Sequence, residues 1–164
     1  MSVVSRVVIP LVKLWLRSQV QSVGYLHIEV AGSSWQILRG KIPSATVIAT
    51  ETVYRGIEIT SIQLCAEHIH LNTPDLVKGE PLKLLQPIQV LMEVHFRPQA
   101  VERSLASQLV QEMIATPFAM PTNDLELTTL LRSLLHKLAE FHLEELTVKE
   151  GAVSCRGRFP IQAT

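Results

Sequence analysis

Ile57-Glu58-Ile59-Thr60-Ser61-Ile62-Gln63-Leu64-Cys65-Ala66-Glu67-His68-Ile69-His70-Leu71 is the stretch from which the fold is read. Its aliphatic residues alternate with polar ones, the period of a strand with one buried face. The alternation slips twice. Ile57 and Ile59 fall on odd positions, Ile62 and Leu64 on even ones, and Ile69 and Leu71 on odd ones again. A flat strand cannot exchange faces in this way, so bulges or bends in a strongly curved sheet are expected.

Outward from this stretch the strand pattern fills residues 25–96. Leu26, Ile28 and Val30 alternate with His27 and Glu29, and Gly32-Ser33-Ser34 reads as a turn into Trp35–Leu38, a first hairpin. Val47, Ala49 and Val53 continue in strand style up to the Arg55-Gly56 turn. After a turn-rich connection from Asn72 to Pro81, Ile88, Val90, Met92, Val94 and Phe96 make the cleanest alternation in the chain. A C-terminal hairpin is expected over 143–162.

Three helices flank these strands. Pro10 suits a first helical turn and Gly24 a helix end, which predicts helix over 10–23 with an unusually broad apolar surface. Pro98 opens a second helix, 98–116, with Val101, Leu105, Leu109 and Met113 at a spacing of four and Thr116-Pro117 closing it. A linker from Pro117 to Asp124 leads to a third, 125–141, where Asn123 and Glu126 resemble a capping box. Leu127, Leu130, Leu131, Leu134, Leu135 and Leu138 share its apolar face. The expected class is therefore α+β, one domain over 1–164 with a long curved antiparallel sheet packed on two or three helices.

Two ordered matches suggest an internal repeat. Leu16-Arg17-Ser18 precedes Arg39-Gly40-Lys41-Ile42-Pro43, and Leu131-Arg132-Ser133 precedes Arg156-Gly157-Arg158-Phe159-Pro160 at nearly the same separation. Read as helix plus hairpin ending in a basic turn, each unit would pack its apolar face on its copy.

Composition narrows the function. Hydrophobic residues reach 47% and charged ones only 18%, below the roughly 25% of ordinary soluble domains. Either the core is unusually large, or apolar surface faces something other than water. Fifteen basic residues balance fifteen acidic ones, without the cationic cluster that phosphates demand, which excludes nucleic acid as a partner. Val3 to Leu16 is interrupted by Arg6, Pro10 and Lys13 and is too short for a span of roughly 20 apolar residues. No small-residue cleavage site follows it, so the expected location is cytoplasmic or peripheral on the cytoplasmic face of a membrane.

Chemistry-bearing motifs are sparse. His68 and His70 would share a strand face, but zinc needs three or four ligands, and His27, His95, His136 and His142 are scattered. Cys65 and Cys155 make no CxxC and read as small buried hydrophobes. Glu144-Glu145 reads as a solvated face, and Asp75 and Asp124 as turn formers or caps. No catalytic constellation, metal site or cofactor is expected.

Leu14-Trp15-Leu16-Arg17-Ser18-Gln19-Val20, Gln36-Ile37-Leu38-Arg39-Gly40-Lys41-Ile42-Pro43, Val53-Tyr54-Arg55-Gly56-Ile57, Ile62-Gln63-Leu64 and Lys78-Gly79-Glu80-Pro81-Leu82 together resemble the LmeA-like phospholipid-binding family, its cyanobacterial members most of all. The likeness spans roughly residues 10–115 well and the remainder more loosely. It implies a fold resembling half of a tubular lipid-binding domain, with acyl chains between curved sheet and helices. The chain is shorter than many members, which implies a reduced or open cavity.

A lipid-binding or lipid-transfer protein without catalytic activity is the function these readings favour. Its acyl chains would touch Val47, Ala49, Ile57, Ile59, Val90, Met92 and Val94 on the sheet and Trp15, Leu105, Leu109, Leu131 and Leu135 on the helices. Arg39, Lys41, Arg156 and Arg158 are the head-group candidates, at equivalent turns if the repeat holds. The expected partner is a phospholipid or other lipid, with peripheral membrane contact. The alternative is an interaction subunit whose residues 10–23 dock on a membrane protein or on a second copy of the chain.

Overall fold

The computed structural model describes residues 3–76, 78–114 and 120–164, and the side chains from Ile9 onward within that range. The chain begins with helix α1 (Val3–Ser18) and strand β1 (Tyr25–Ala31), then a short helix α2 (Ser34–Leu38). Two long strands follow, β2 (Lys41–Tyr54) and β3 (Ile57–His70), then the single turn α3 (Thr73–Leu76) and β4 (Ile88–Phe96). Helices α4 (Pro98–Leu105), α5 (Gln108–Met113) and α6 (Asp124–His136) lead to the hairpin β5 (His142–Lys149) and β6 (Ala152–Ile161). All strand pairs are antiparallel, in one open sheet ordered β1-β2-β3-β4-β6-β5. The class is α+β, as the alternating patterns require.

The slips in alternation have a specific origin. β2 and β3 keep one register from Lys41↔His70 to Tyr54↔Ile57, so neither strand shifts against the other. Instead both change face on the same rungs. The inward residues of β2 run Ile42, then Ala45, Val47 and Ala49, then Thr52; those of β3 run Ile59, then Ile62, Leu64 and Ala66, then Ile69. Each jump of three coincides with a left-handed residue on one of the two strands, Glu51 (φ 49°) and His68 (φ 53°). An extra residue on both strands at one rung bends the pair and leaves the ladder in step.

One face of the sheet is covered by helices, in two separate clusters. Ile37, Ile42, Ile69 and Leu71 form the first, joined by Val12 of α1. Val101, Leu105, Val110, Leu127, Leu134 and Val153 form the second, under α4, α5 and α6. Each such side chain buried contributes about 1.5–3 kcal/mol.

Several elements differ from the sequence reading. The helix expected over 10–23 covers Val3–Ser18 and carries Pro10 inside it. Gln21 to Gly24 instead run beside β2, where Gln21 N–H donates to the Val53 carbonyl and Gly24 N–H to the Thr50 carbonyl. Trp35–Leu38 is helix and not strand. Ser33 Oγ accepts from Gln36 N–H while the Gln36 side chain accepts from Ser33 N–H, a complete capping box. The helix expected over 98–116 breaks after Leu105, because Ser107 Oγ caps a new helix through Val110 N–H; its proposed close at Thr116-Pro117 and most of the following linker lie outside the described residues. The third helix ends at His136, short of 141.

The internal repeat fails. Arg39-Gly40-Lys41 does turn, with Gly40 at φ 82° and no room for a Cβ beside the Leu71 carbonyl. Arg156-Gly157-Arg158 lies in the middle of β6 and pairs with β4 and β5. Gly157 is there because the Phe141 ring crosses the strand where a Cβ would stand. Two glycines that look alike in sequence thus answer different steric demands.

Candidate functional site

The inward face of the sheet carries two apolar cavities, one under each helical group. The first, of about 170 Å³, lies between α1 and β1–β4. Val12, Trp15 and Leu16 roof it, and Val47, Leu64 and Val90 are among the sheet residues that floor it. The second, of about 220 Å³, lies between α4–α6 and the far half of the sheet. Leu105, Leu131 and Leu135 face Ile57, Ile59, Met92 and Val94 across it. Among the described residues Ser104 supplies the one hydroxyl of its lining, and it is engaged elsewhere: it accepts from Glu58 N–H at 2.9 Å.

The cavities abut. Val90 lines the first and Met92 the second, and these are successive inward residues of β4. On the neighbouring strand Leu64, a wall of the first cavity, is the register partner of Met92. A single rung of the sheet separates two spaces that hold almost no polar atoms. Trp15 and Leu138, which line the first and second cavity, are 38% and 43% exposed, so both spaces reach the surface.

Ten of the twelve apolar site residues expected from sequence stand on these linings: Trp15, Val47 and Val90 on the first, and Ile57, Ile59, Met92, Val94, Leu105, Leu131 and Leu135 on the second. Ala49 is buried on the same face of β2 without reaching either cavity. Leu109 misses as well, and the break at Ser107 is the reason: the new helix turns Val110 inward in its place. Val110 is a lining residue that the spacing of four hid; Met113 and Leu138, already on the apolar helix faces read from the sequence, also line the second cavity, together with Val153 and Cys155 of β6.

The basic candidates divide. Arg156 and Arg158 point from β6 to the opposite face of the sheet, where neither meets an apolar cavity. Arg156 bridges Glu144 at 3.4 Å and Glu145 at 3.3 Å, and Arg158 bridges Glu144 at 2.6 Å. A β-bulge between Leu143 and Glu145 brings both carboxylates to these guanidinium groups. Arg39 caps the end of α2 with its guanidinium 4.8 Å from the Trp35 ring centre, and Lys41 is exposed at the start of β2.

Burial pushes the Cys155 thiol up to about 11, so it is a neutral wall of the second cavity. Cys155 and Cys65 are free; β4 separates their strands, and the register sets Cys155 on the Val94 rung and Cys65 on the Leu91 rung, so their Cα atoms are more than roughly 9 Å apart, beyond disulfide reach. Among the described residues no group of three His, Cys, Asp or Glu side chains is arranged to hold a metal. The arrangement is suited to taking up apolar chains.

The sequence profile of a known family, described as LmeA-like phospholipid-binding, matches residues 2–151. No curated protein and no solved structure matches the chain.

Proposed function

The chain belongs to the LmeA-like phospholipid-binding family, and from that premise we propose that it holds phospholipid acyl chains in the two abutting cavities between sheet and helices, as a carrier and without catalysing a reaction. The observation that carries this reading is their placement on one sheet face, a single rung apart, with linings of Leu, Ile, Val, Met and Phe. Each methylene taken from water into such a lining contributes about 0.8 kcal/mol, so affinity would come from the chains. Specificity would come from polar groups at the rims.

Organic extraction of the purified protein, followed by lipid mass spectrometry, tests this. Phospholipid near one molecule per chain is expected, with uptake from liposomes by delipidated protein. Val94→Trp or Leu135→Trp, each filling the second cavity, should cut the recovered lipid severalfold with the fold retained. Protein that carries no lipid and takes none up contradicts the reading.

A further inference from the structure

We propose that the α1–α2 end of the molecule docks on an anionic lipid bilayer and that the first cavity loads there; the loading step rests on the lipid-holding function above, the docking step does not. Val12 and Leu16 of α1 face the sheet one turn apart, which sends Leu14 the opposite way, and it is 67% exposed. Trp35, on the adjoining α2, is 64% exposed. Amphipathic rings at the edge of an apolar patch suit the head-group boundary of a bilayer.

Charge identifies the occupant. The chain is neutral as a whole, yet residues 1–50 hold five basic side chains and one acidic, while residues 51–164 hold ten and fourteen. Lys13, Arg17, Arg39 and Lys41 belong to this end, and none pairs with a carboxylate among the described residues; the remaining arginines in ion pairs, Arg97, Arg103, Arg156 and Arg158, all lie elsewhere. The one acidic residue of the segment, Glu29, meets His27 at 3.2 Å, and Asp75 stands on α3, which packs against α2. Lys13 and Arg17 are four apart on α1, a basic row beside the apolar row of Leu14. An amphipathic helix of this kind lies in the interface. No helix among the described residues is long and apolar enough to cross a membrane. Trp15 joins docking to loading, since it is both exposed and a wall of the first cavity.

Both tryptophans of the chain lie in this patch, so intrinsic fluorescence reports on it directly. With vesicles of phosphatidylcholine plus phosphatidylglycerol, emission should shift to the blue, and added salt should reverse the shift. Vesicles of phosphatidylcholine alone should give little. Leu14→Glu should abolish the shift, and the milder pair Arg17→Gln with Arg39→Gln should lower partitioning roughly thirtyfold. Equal binding to both vesicle types, or indifference to these variants, overturns the docking surface. So does a dimer in solution that Leu14→Glu dissociates, since a second copy would then cover the patch. Wild-type loading by Leu14→Glu that no longer binds vesicles overturns the loading step at this surface and leaves the lipid-holding function standing. Vesicle binding by protein that never acquires lipid overturns the lipid-holding function alone.

Discussion

Asp124 joins two distant parts of the chain through one carboxylate. Its oxygens accept from Glu150 N–H at 2.8 Å and Gly151 N–H at 2.9 Å, fastening the β5–β6 turn to the start of α6. Hydrogen bonds to a charged acceptor contribute about 1.5–3 kcal/mol each, and solvent at this partly exposed pair lowers their sum, so Asp124→Ala should lower unfolding stability by about 2–3 kcal/mol in a denaturant titration. A loss below a few tenths of a kcal/mol would show the clamp to be idle. Cys155 gives a second test. Its raised value means that the native state keeps a proton the unfolded chain has released, so its contribution to stability is intact below about pH 9 and is lost as pH rises towards about 11. At pH 8 a thiol reagent should label Cys155 only in denaturant; rapid labelling of native protein would contradict its burial. The burial of Cys155 was readable in the sequence; the Asp124 clamp was not. Asp124 looks like a turn former because its partners lie 26 and 27 residues away. The helix cap beside it was local and so was legible: Asn123 Oδ1 accepts from Glu126 N–H at 2.8 Å. Even there Glu126 turns to the Thr122 N–H and hydroxyl, not to Asn123, and these hold its carboxyl below the usual value.

At the level of elements, whatever followed from periodicity was legible and whatever depended on a cap or a distant contact was not. β4 ends where its alternation ends, and the slips between Ile59 and Ile69 marked both bends. Five residues are too few to show a helical period, so α2 was hidden, although Ser33 and Gln36 carried its capping signature. The break at Ser107 was hidden because Leu109 and Met113 continue a spacing of four that the chain does not use. The bends themselves are testable. A non-glycine residue in the left-handed region costs about 1–2 kcal/mol. His68→Gly should therefore leave stability unchanged or raise it, while His68→Val should lower it by more than 1 kcal/mol in thermal or chemical unfolding. Equal behaviour of the two variants would mean that the bend does not need this backbone state.

Across the whole molecule, the bends and the two helical groups have one consequence. They keep the inward face from closing on itself, so the aliphatic surplus of the sequence lines two cavities on either side of the Leu64–Met92 rung. Composition could not distinguish such cavities from a filled core, because both use the same residues. Only the relative placement of α1 and α4–α6 over a bent sheet decides between them. A phospholipid carrying a photoactivatable diazirine near its acyl terminus locates the chain most directly. After irradiation and digestion, cross-links are predicted on residues 88–96 of β4 and on the linings contributed by α1 or α6. Cross-links confined to the opposite, polar face of the sheet, around Gln63, Glu93 and Arg156, or none above background, would contradict the account.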